Sequence, residues 1–193
     1  MQFLVTVLFF AMLPLTAQSY EPLTGEARLK WFANATYGPR SLLVSGPITS
    51  AWRTYNNRPE EWGPHWDGFG KRYGARLLND SVVNGLDASA GAIWNEDPRY
   101  FRVGQGPVRQ RLTQALKQTW MSRYGDGEYH FGAAKAIGIA GGSFAQKLWM
   151  PDSVTSNRDC LVRIGGGYSG RLFGNLLREF SPDLLKKLKR KKS

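Results

Sequence analysis

The chain has 193 residues, enough for one domain with a sizeable core. Hydrophobic residues make up 42% and charged residues 21%, which excludes a disordered chain, and a single cysteine excludes an internal disulfide. Lys and Arg outnumber Asp and Glu by 26 to 15, so the chain carries +11 and suits anionic partners.

The opening "MQFLVTVLFFAMLPLTAQS" reads as a signal peptide over 1–19. Residues 3–15 form its apolar core, Pro14 bends the end, and Ala17, Gln18 and Ser19 supply a small-x-small cleavage site after Ser19. The rival reading is an uncleaved anchor, because 1–20 holds no charged side chain and reaches the roughly 20 residues of a span. Pro14, Thr16, Gln18 and Ser19 interrupt its second half. Export to the periplasm, the outer envelope or the exterior follows from the signal. A Gly-rich helical domain is expected over 20–183 and a polybasic tail over 184–193.

After the signal, 26–36 has helical character and ends at Gly38 and Pro39. Residues 40–57 keep helical apolar spacing, but Gly46 and Pro47 should kink or split the segment. "RPEEWGPHWDGFG" (58–70), rich in Pro, Gly and Trp, reads as a packed loop. A long helix is predicted over 66–94. On a helical wheel its Gly70, Gly74, Ser81, Gly85, Ala88 and Ala92 fall within about 60° of one another.

In "NEDPRYFRVGQGP" (95–107), Asp97 as N-cap and Pro98 at the first position predict a single helical turn. Asp97, Arg99, Tyr100 and Arg102 form a candidate recognition turn. In the structural alternative, Tyr100 and Phe101 staple the turn to the core and the arginines pair with carboxylates. Pro107 then opens a helix to about 124. It carries Val108, Leu112, Ala115 and Leu116 on one face and Gln110, Gln114, Lys117 and Gln118 on the other. "GDG" (125–127) is a turn.

The next helix, 130–149, bears a second small-residue stripe of Ala134, Gly138, Gly141 and Ala145. Ile137, Phe144 and Leu148 flank it, and Lys135, Ser143, Gln146 and Lys147 take the far side. In the last long segment, 154–180, Gly166, Gly170 and Gly174 repeat at i, i+4, and Arg163, Arg171 and Arg178 share a face. The run 165–167 of three glycines predicts a kink, and Ser181 and Pro182 should separate a basic tail helix.

Glycine weakens a helix unless something compensates, and close helix packing is the usual compensation. The expected packing seam therefore comprises Gly70, Gly74, Gly85, Ala88, Ala134, Gly138, Gly141, Gly166, Gly170 and Gly174. A membrane bundle fails on length, since Lys135 and Lys147 bracket eleven uncharged residues. A β-barrel needs period-2 alternation, which the stripes contradict. The fold class expected is an all-α, single-domain bundle of roughly five to six helices with Gly/Ala-faced close packing.

Chemistry-bearing sets are sparse. His65 with Asp67, and Glu128 with His130, are metal-ligand types, but the pairs lie sixty residues apart. Glu60, Glu61, Asp67 and Glu96 lie near Trp52, Trp62, Trp66 and Trp94, a composition suited to a cell-wall glycan hydrolase. No nucleophile elbow or phosphate loop is present. No catalytic, cofactor-binding or metal residues are assigned, and Cys160 is expected to be buried.

"NEDPRYFRVGQG", "LWMPDS" (148–153) and "GNLLREFSPD" (174–183) resemble a family of uncharacterised exported bacterial proteins. The resemblance covers about 66–183, and "DPRYFR" is its most specific part. It implies a signal peptide followed by a Gly-rich helical domain, and carries no activity, ligand or catalytic residue. The tail falls outside it.

The expected function is thus a non-enzymatic, envelope-associated protein. Its tail residues Lys186, Lys187, Lys189, Arg190, Lys191 and Lys192 are the candidate contacts to anionic lipid or another envelope polyanion. No nucleic-acid partner is expected, and a second copy of the chain is a candidate partner. The alternatives are the glycan hydrolase, with its carboxylate in the Trp-rich 58–97 region, and an oligomerising helical or outer-membrane-inserted module.

Overall fold

The computed structural model describes residues 20–190, with side chains placed through 183. The expected signal peptide, Lys191 and Lys192 lie outside the described residues. For Lys186, Lys187, Lys189 and Arg190 only the backbone is described.

The protein is an all-α bundle with one small hairpin. Helix α1 (Gly25–Tyr37) is capped by Thr24, whose hydroxyl accepts from Ala27 N at 3.2 Å. A π-helical stretch (Ser41–Ser45) runs into α2 (Gly46–Tyr55). The split expected at Gly46 and Pro47 is this change of winding, with Pro47 in the first turn of α2, where its missing N–H costs nothing. The long α3 (Trp66–Trp94) ends on Asn95 in the left-handed conformation, at φ 54°.

Residues 97–103 form no helical turn, contrary to expectation. Asp97 Oδ1 instead accepts from Arg99 N at 2.9 Å, the Asx geometry that competes with helix. Helix α4 (Val108–Trp120) is shorter than predicted. The residues after it form β1 (Met121–Arg123), antiparallel to β2 (Tyr129–Phe131), with Ser122 opposite His130 across the GDG turn. Helix α5 (Ala133–Ala145) follows, then α6 (Asn157–Arg190). The predicted break at Ser181 and Pro182 is absent, and α6 runs through both the triple glycine and Pro182. Arg102 Nε and Arg111 Nη2 donate to Glu179 O at 3.0 and 2.5 Å, supplying side-chain donors beside the proline.

The broadest helix contact joins α3 and α5. A Cβ on Gly138 would stand 2.7 Å from Val83 O and 3.2 Å from Asp87 Cβ, and one on Gly141 would stand 2.6 Å from Leu86 Cδ1. Gly142 lies equally close to Val83, and Ala134 is fully buried. The small face of α5 is thus in intimate contact, with dispersion along the seam.

Its partner on α3 is not the predicted stripe. The contacting residues are Asn79, Val83, Leu86, Asp87 and Gly91, on the opposite side of α3. Gly70 and Gly74 face open space, Gly85 looks toward Phe32 of α1 at 3.7 Å, and Ala88 is half-buried. The physical reason is complementarity: the hollow left by the glycines of α5 takes protruding Val83 and Leu86, not a second hollow.

The interior is polar. Buried side chains include Arg28, Arg72, Asp87, Glu96, Asp97, Arg111, Lys135 and Glu179, whereas the buried apolar ones are mainly small. Apolar side chains face outward instead, among them Val108, Leu112 and Leu116 on α4, Ile137 and Phe144 on α5 with Leu148 just after it, and Leu161, Val162 and Phe173 on α6. Gln118, Lys135, Ser143 and Gln146, expected opposite the packed faces, are buried instead. A buried polar group persists only where it is hydrogen-bonded or paired. The pairing that permits this inversion surrounds a cavity.

Candidate anion-binding cavity

On α6, positions 163, 166, 167, 170, 171, 174 and 178 fall on one side of the helical wheel. That side carries two sequence features at once, the glycine repeat and the shared arginine face. Gly166, Gly170 and Gly174 were expected to touch another helix. A Cβ on any of them would meet nothing within 4 Å. The glycines instead floor a cavity of about 540 Å³. Gly167 alone on this side is closed off, by Ile139 Cγ2 at 2.7 Å.

Six basic residues line the cavity: Arg53 from α2, Arg99 from the loop after α3, Lys135 from α5, and Arg163, Arg171 and Arg178 from α6. No carboxylate residue lines it among the described residues. Asn79, Asn84, Gln118, Ser143, Gln146 and Asn175 supply neutral polar groups, and Trp31 and Tyr100 supply aromatic faces.

Two of the six cations are matched from behind. Arg99 grips the buried Asp97 at 2.6 Å, and Arg171 pairs with the buried Asp87 Oδ2 at 2.9 Å. Lys135 donates to Gln118 O at 3.0 Å and Met121 O at 2.8 Å. Burial, then the charge of Arg171, pulls its ammonium down to about 8. Arg53, Arg163 and Arg178 have no carboxylate partner among the described residues. Arg163 donates from Nη2 to Val154 O and keeps Nη1 buried without a partner. Burial and then repulsion from Arg163, Arg72 and Arg76 push Arg53 below its usual range. Burial and then Arg40 and Arg171 do the same to Arg178. Like charges held together in a partly desolvated space favour any anion that enters.

Beside the cavity, the two distinctive motifs meet. Glu179, in "REFSPD", is fully buried. Its carboxylate accepts from Tyr100 OH at 2.8 Å, Val103 N at 3.1 Å, Gly104 N at 2.9 Å and Arg111 Nε at 2.8 Å. Arg111 and Arg102 also reach Asp183, at 2.6 and 3.1 Å. Burial alone would raise the Glu179 carboxyl, but the bonds from Arg111, Gly104, Tyr100 and Val103 outweigh it and hold it below the ordinary range. This latch fixes α6 against the loop after α3 and against α4.

Glu96 makes a second anchor. Ser122 Oγ donates to Oε1 at 2.7 Å, while Tyr124 OH and Ala134 N donate to Oε2 at 3.0 and 2.8 Å. Arg28 Nη1 donates to its backbone oxygen at 2.8 Å. Glu96 thereby joins α1, the hairpin and the start of α5.

The candidate recognition turn is bonded inward. Asp97 is fully buried under Arg99, Tyr100 is bonded to Glu179, and Arg102 bonds Glu179 O and Asp183. Only Arg99 and Tyr100 of the four reach the cavity lining.

The hydrolase carboxylates do not gather. Glu60, Glu61 and Asp67 are exposed, whereas Glu96 is enclosed by its three donors. His130 pairs with Asp126 at 3.0 Å, and His65 precedes α3 as its cap residue. Among the described residues no three His, Cys, Asp or Glu side chains come together as a metal site, and no helix is long and apolar enough to cross a membrane. Cys160 is fully buried.

Sequence reasoning placed Arg163, Arg171 and Arg178 on one face but not against the glycines of the same helix. It missed Arg53, Lys135 and Glu179 as site or anchor residues. Lys135 carried a signal, a lone cation on an otherwise apolar helix. The chain matches no protein-family model, no curated protein and no solved structure.

Proposed function

We propose that this protein is a non-enzymatic, envelope-associated binding protein that holds an anionic ligand in the basic cavity floored by α6. The observation that carries this reading is the lining itself, six basic residues without a carboxylate among them, three of the arginines without a carboxylate partner among the described residues. A cavity of about 540 Å³ is within the range of small-molecule sites. Titration calorimetry with inorganic pyrophosphate tests it. Binding that weakens with salt and falls about tenfold in Arg163→Gln or Arg178→Gln is expected. Heat indistinguishable from buffer with millimolar pyrophosphate, and with organic polyanions at the same concentration, overturns it.

A second reading concerns where the protein works. Exposed apolar faces on α4, α5 and α6, together with a charge of +11 and a polybasic tail, favour attachment to an anionic membrane surface. Vesicles containing phosphatidylglycerol should capture the protein at low salt, and a chain ending at Asp183 should be captured less. Equal capture by neutral vesicles, or capture unchanged by the truncation, removes the tail from this role. A stable dimer that no longer binds vesicles assigns the apolar faces to a second copy instead.

A further inference from the structure

The basic residues are spread along the cavity, with Arg171 beside Gly170 and Gly174 and between Arg163 and Arg178. Arg53 and Arg163 repel one another at the end near the start of α6, and Arg171 and Arg178 do so further along the helix. Between Arg163 and Arg178 lies the floor of Gly166, Gly170 and Gly174. The floor spans eight residue steps, or about 12 Å at the rise of an α-helix. The same cavity is lined by amides of α3 and of the turn after α5 that are each half-used. Gln146 Nε2 donates to Asn79 Oδ1 at 2.8 Å, and Asn84 Nδ2 donates to Thr36 Oγ1 at 3.1 Å. Among the described residues, Gln146 Oε1, Asn79 Nδ2 and Asn84 Oδ1 have no hydrogen-bond partner.

Resting on the anion-binding reading, we infer that the ligand is an acidic saccharide. It carries acidic groups spaced along its length, with hydroxyls between them, as the basic residues are spaced along the cavity. Its terminal carboxylates or phosphates pair with Arg53 and Arg163 at one end and with Arg178 at the other, since guanidinium forks match both groups. Hydroxyls between the acidic groups suit the lining amides because each hydroxyl both donates and accepts. That serves acceptors Gln146 Oε1 and Asn84 Oδ1 as well as donor Asn79 Nδ2. An alkyl spacer would desolvate those atoms without replacing their bonds to water. The missing side chains of Gly166, Gly170 and Gly174 let a ring lie close to the helix backbone. Trp31 offers an aromatic face to the apolar side of a sugar.

Calorimetry of the purified protein with four probes tests the ligand class. Trigalacturonate is expected to bind at least about tenfold tighter than pyrophosphate and than an α,ω-alkane dicarboxylate of matching length, a difference of about 1.4 kcal/mol. Neutral maltotriose is expected to give no heat. Arg163→Gln and Arg178→Gln should each weaken trigalacturonate about tenfold. Gly170→Leu, whose Cβ enters open space, should abolish binding without loss of helix content or a fall in thermal midpoint. Equal binding of the alkane dicarboxylate overturns hydroxyl recognition, and pyrophosphate binding as tightly as trigalacturonate overturns the extended site. In both cases the anion-binding reading survives. Silence from all four probes overturns both.

Discussion

Helices α5 and α6 both carry glycines at helical spacing, and they use the missing side chains in opposite ways. On α5 the hollow is filled: Val83 and Leu86 of α3 press into it, and Val83 O comes within 2.7 Å of where a Gly138 Cβ would be. On α6 the hollow stays open and becomes the floor of a basic cavity. The same residue pattern thus encodes a packing seam in one helix and a binding space in the other. The flanking side chains make the difference. The open glycines of α6 stand among arginines, which repel one another and resist closure, whereas those of α5 face Val83 and Leu86.

If the cavity face of α6 gives it little adhesion, the helix must be held elsewhere, and the latch at Glu179 is the place. Glu179→Ala is therefore expected to have the largest effect, a loss of about 3–5 kcal/mol, because it leaves buried Arg111 Nε, the Tyr100 hydroxyl and two loop N–H groups without their acceptor. Chemical denaturation checks it, and a loss below about 1 kcal/mol would mean that the glycine face itself carries the helix. The same contrast has a pH signature. The folded carboxyls of Glu179 and Asp183 sit below their ordinary ranges, Asp183 chiefly through its bond from Arg111. Their contribution is present above the unfolded values and disappears as pH falls through the folded ones. Acid unfolding should begin below about pH 4.5 and, by hydrogen exchange, should release α6 before the α3–α5 seam.

Next in size is Gly138→Leu, in the closed hollow. Overpacking against the Val83 backbone should cost about 1–3 kcal/mol or more, because a carbonyl oxygen cannot swing aside as a side-chain end can. An unchanged thermal midpoint would show that α3 and α5 are not in contact at this point, and the comparison would collapse.

The sequence made one half of this comparison legible. Periodicity found the small faces of both α5 and α6, because helical spacing follows from chain geometry alone. It could not say which face is covered, since that depends on what lies opposite. Hence the stripe of Gly70, Gly74 and Gly85 on α3 looked like a seam, while the true seam used the other side. The inverted amphipathicity was hidden for a related reason. Leu112 and Leu116 obey the rule for a buried stripe, yet they face outward because Arg111, Gln118 and Asn175 are satisfied inside by Glu179, the Phe101 backbone and the Ala115 carbonyl. The hairpin was lost because three-residue strands carry too little alternation to stand out from a helix end. "DPRYFR" and "REFSPD" were both visible as motifs. Their union at Tyr100 and Glu179 spans 79 residues and has no local signature.

The smallest effect is the most discriminating, because its sign differs from the others. Gly170→Ala adds a methyl group that meets nothing within 4 Å. Removing a glycine from a helix interior should then stabilise the protein by about 1 kcal/mol. For a chain of this size that is a rise of about 2–4 °C in the thermal midpoint. Gly138→Ala, with the same intrinsic gain, should lower the midpoint because Val83 O stands in the way. Helix propensity cancels between the two substitutions, so their difference reports only the space opposite each glycine. Opposite signs mean that α5 is closed and α6 open in solution. A fall at both positions means that α6 also packs shut, and the cavity then exists only when something holds it apart.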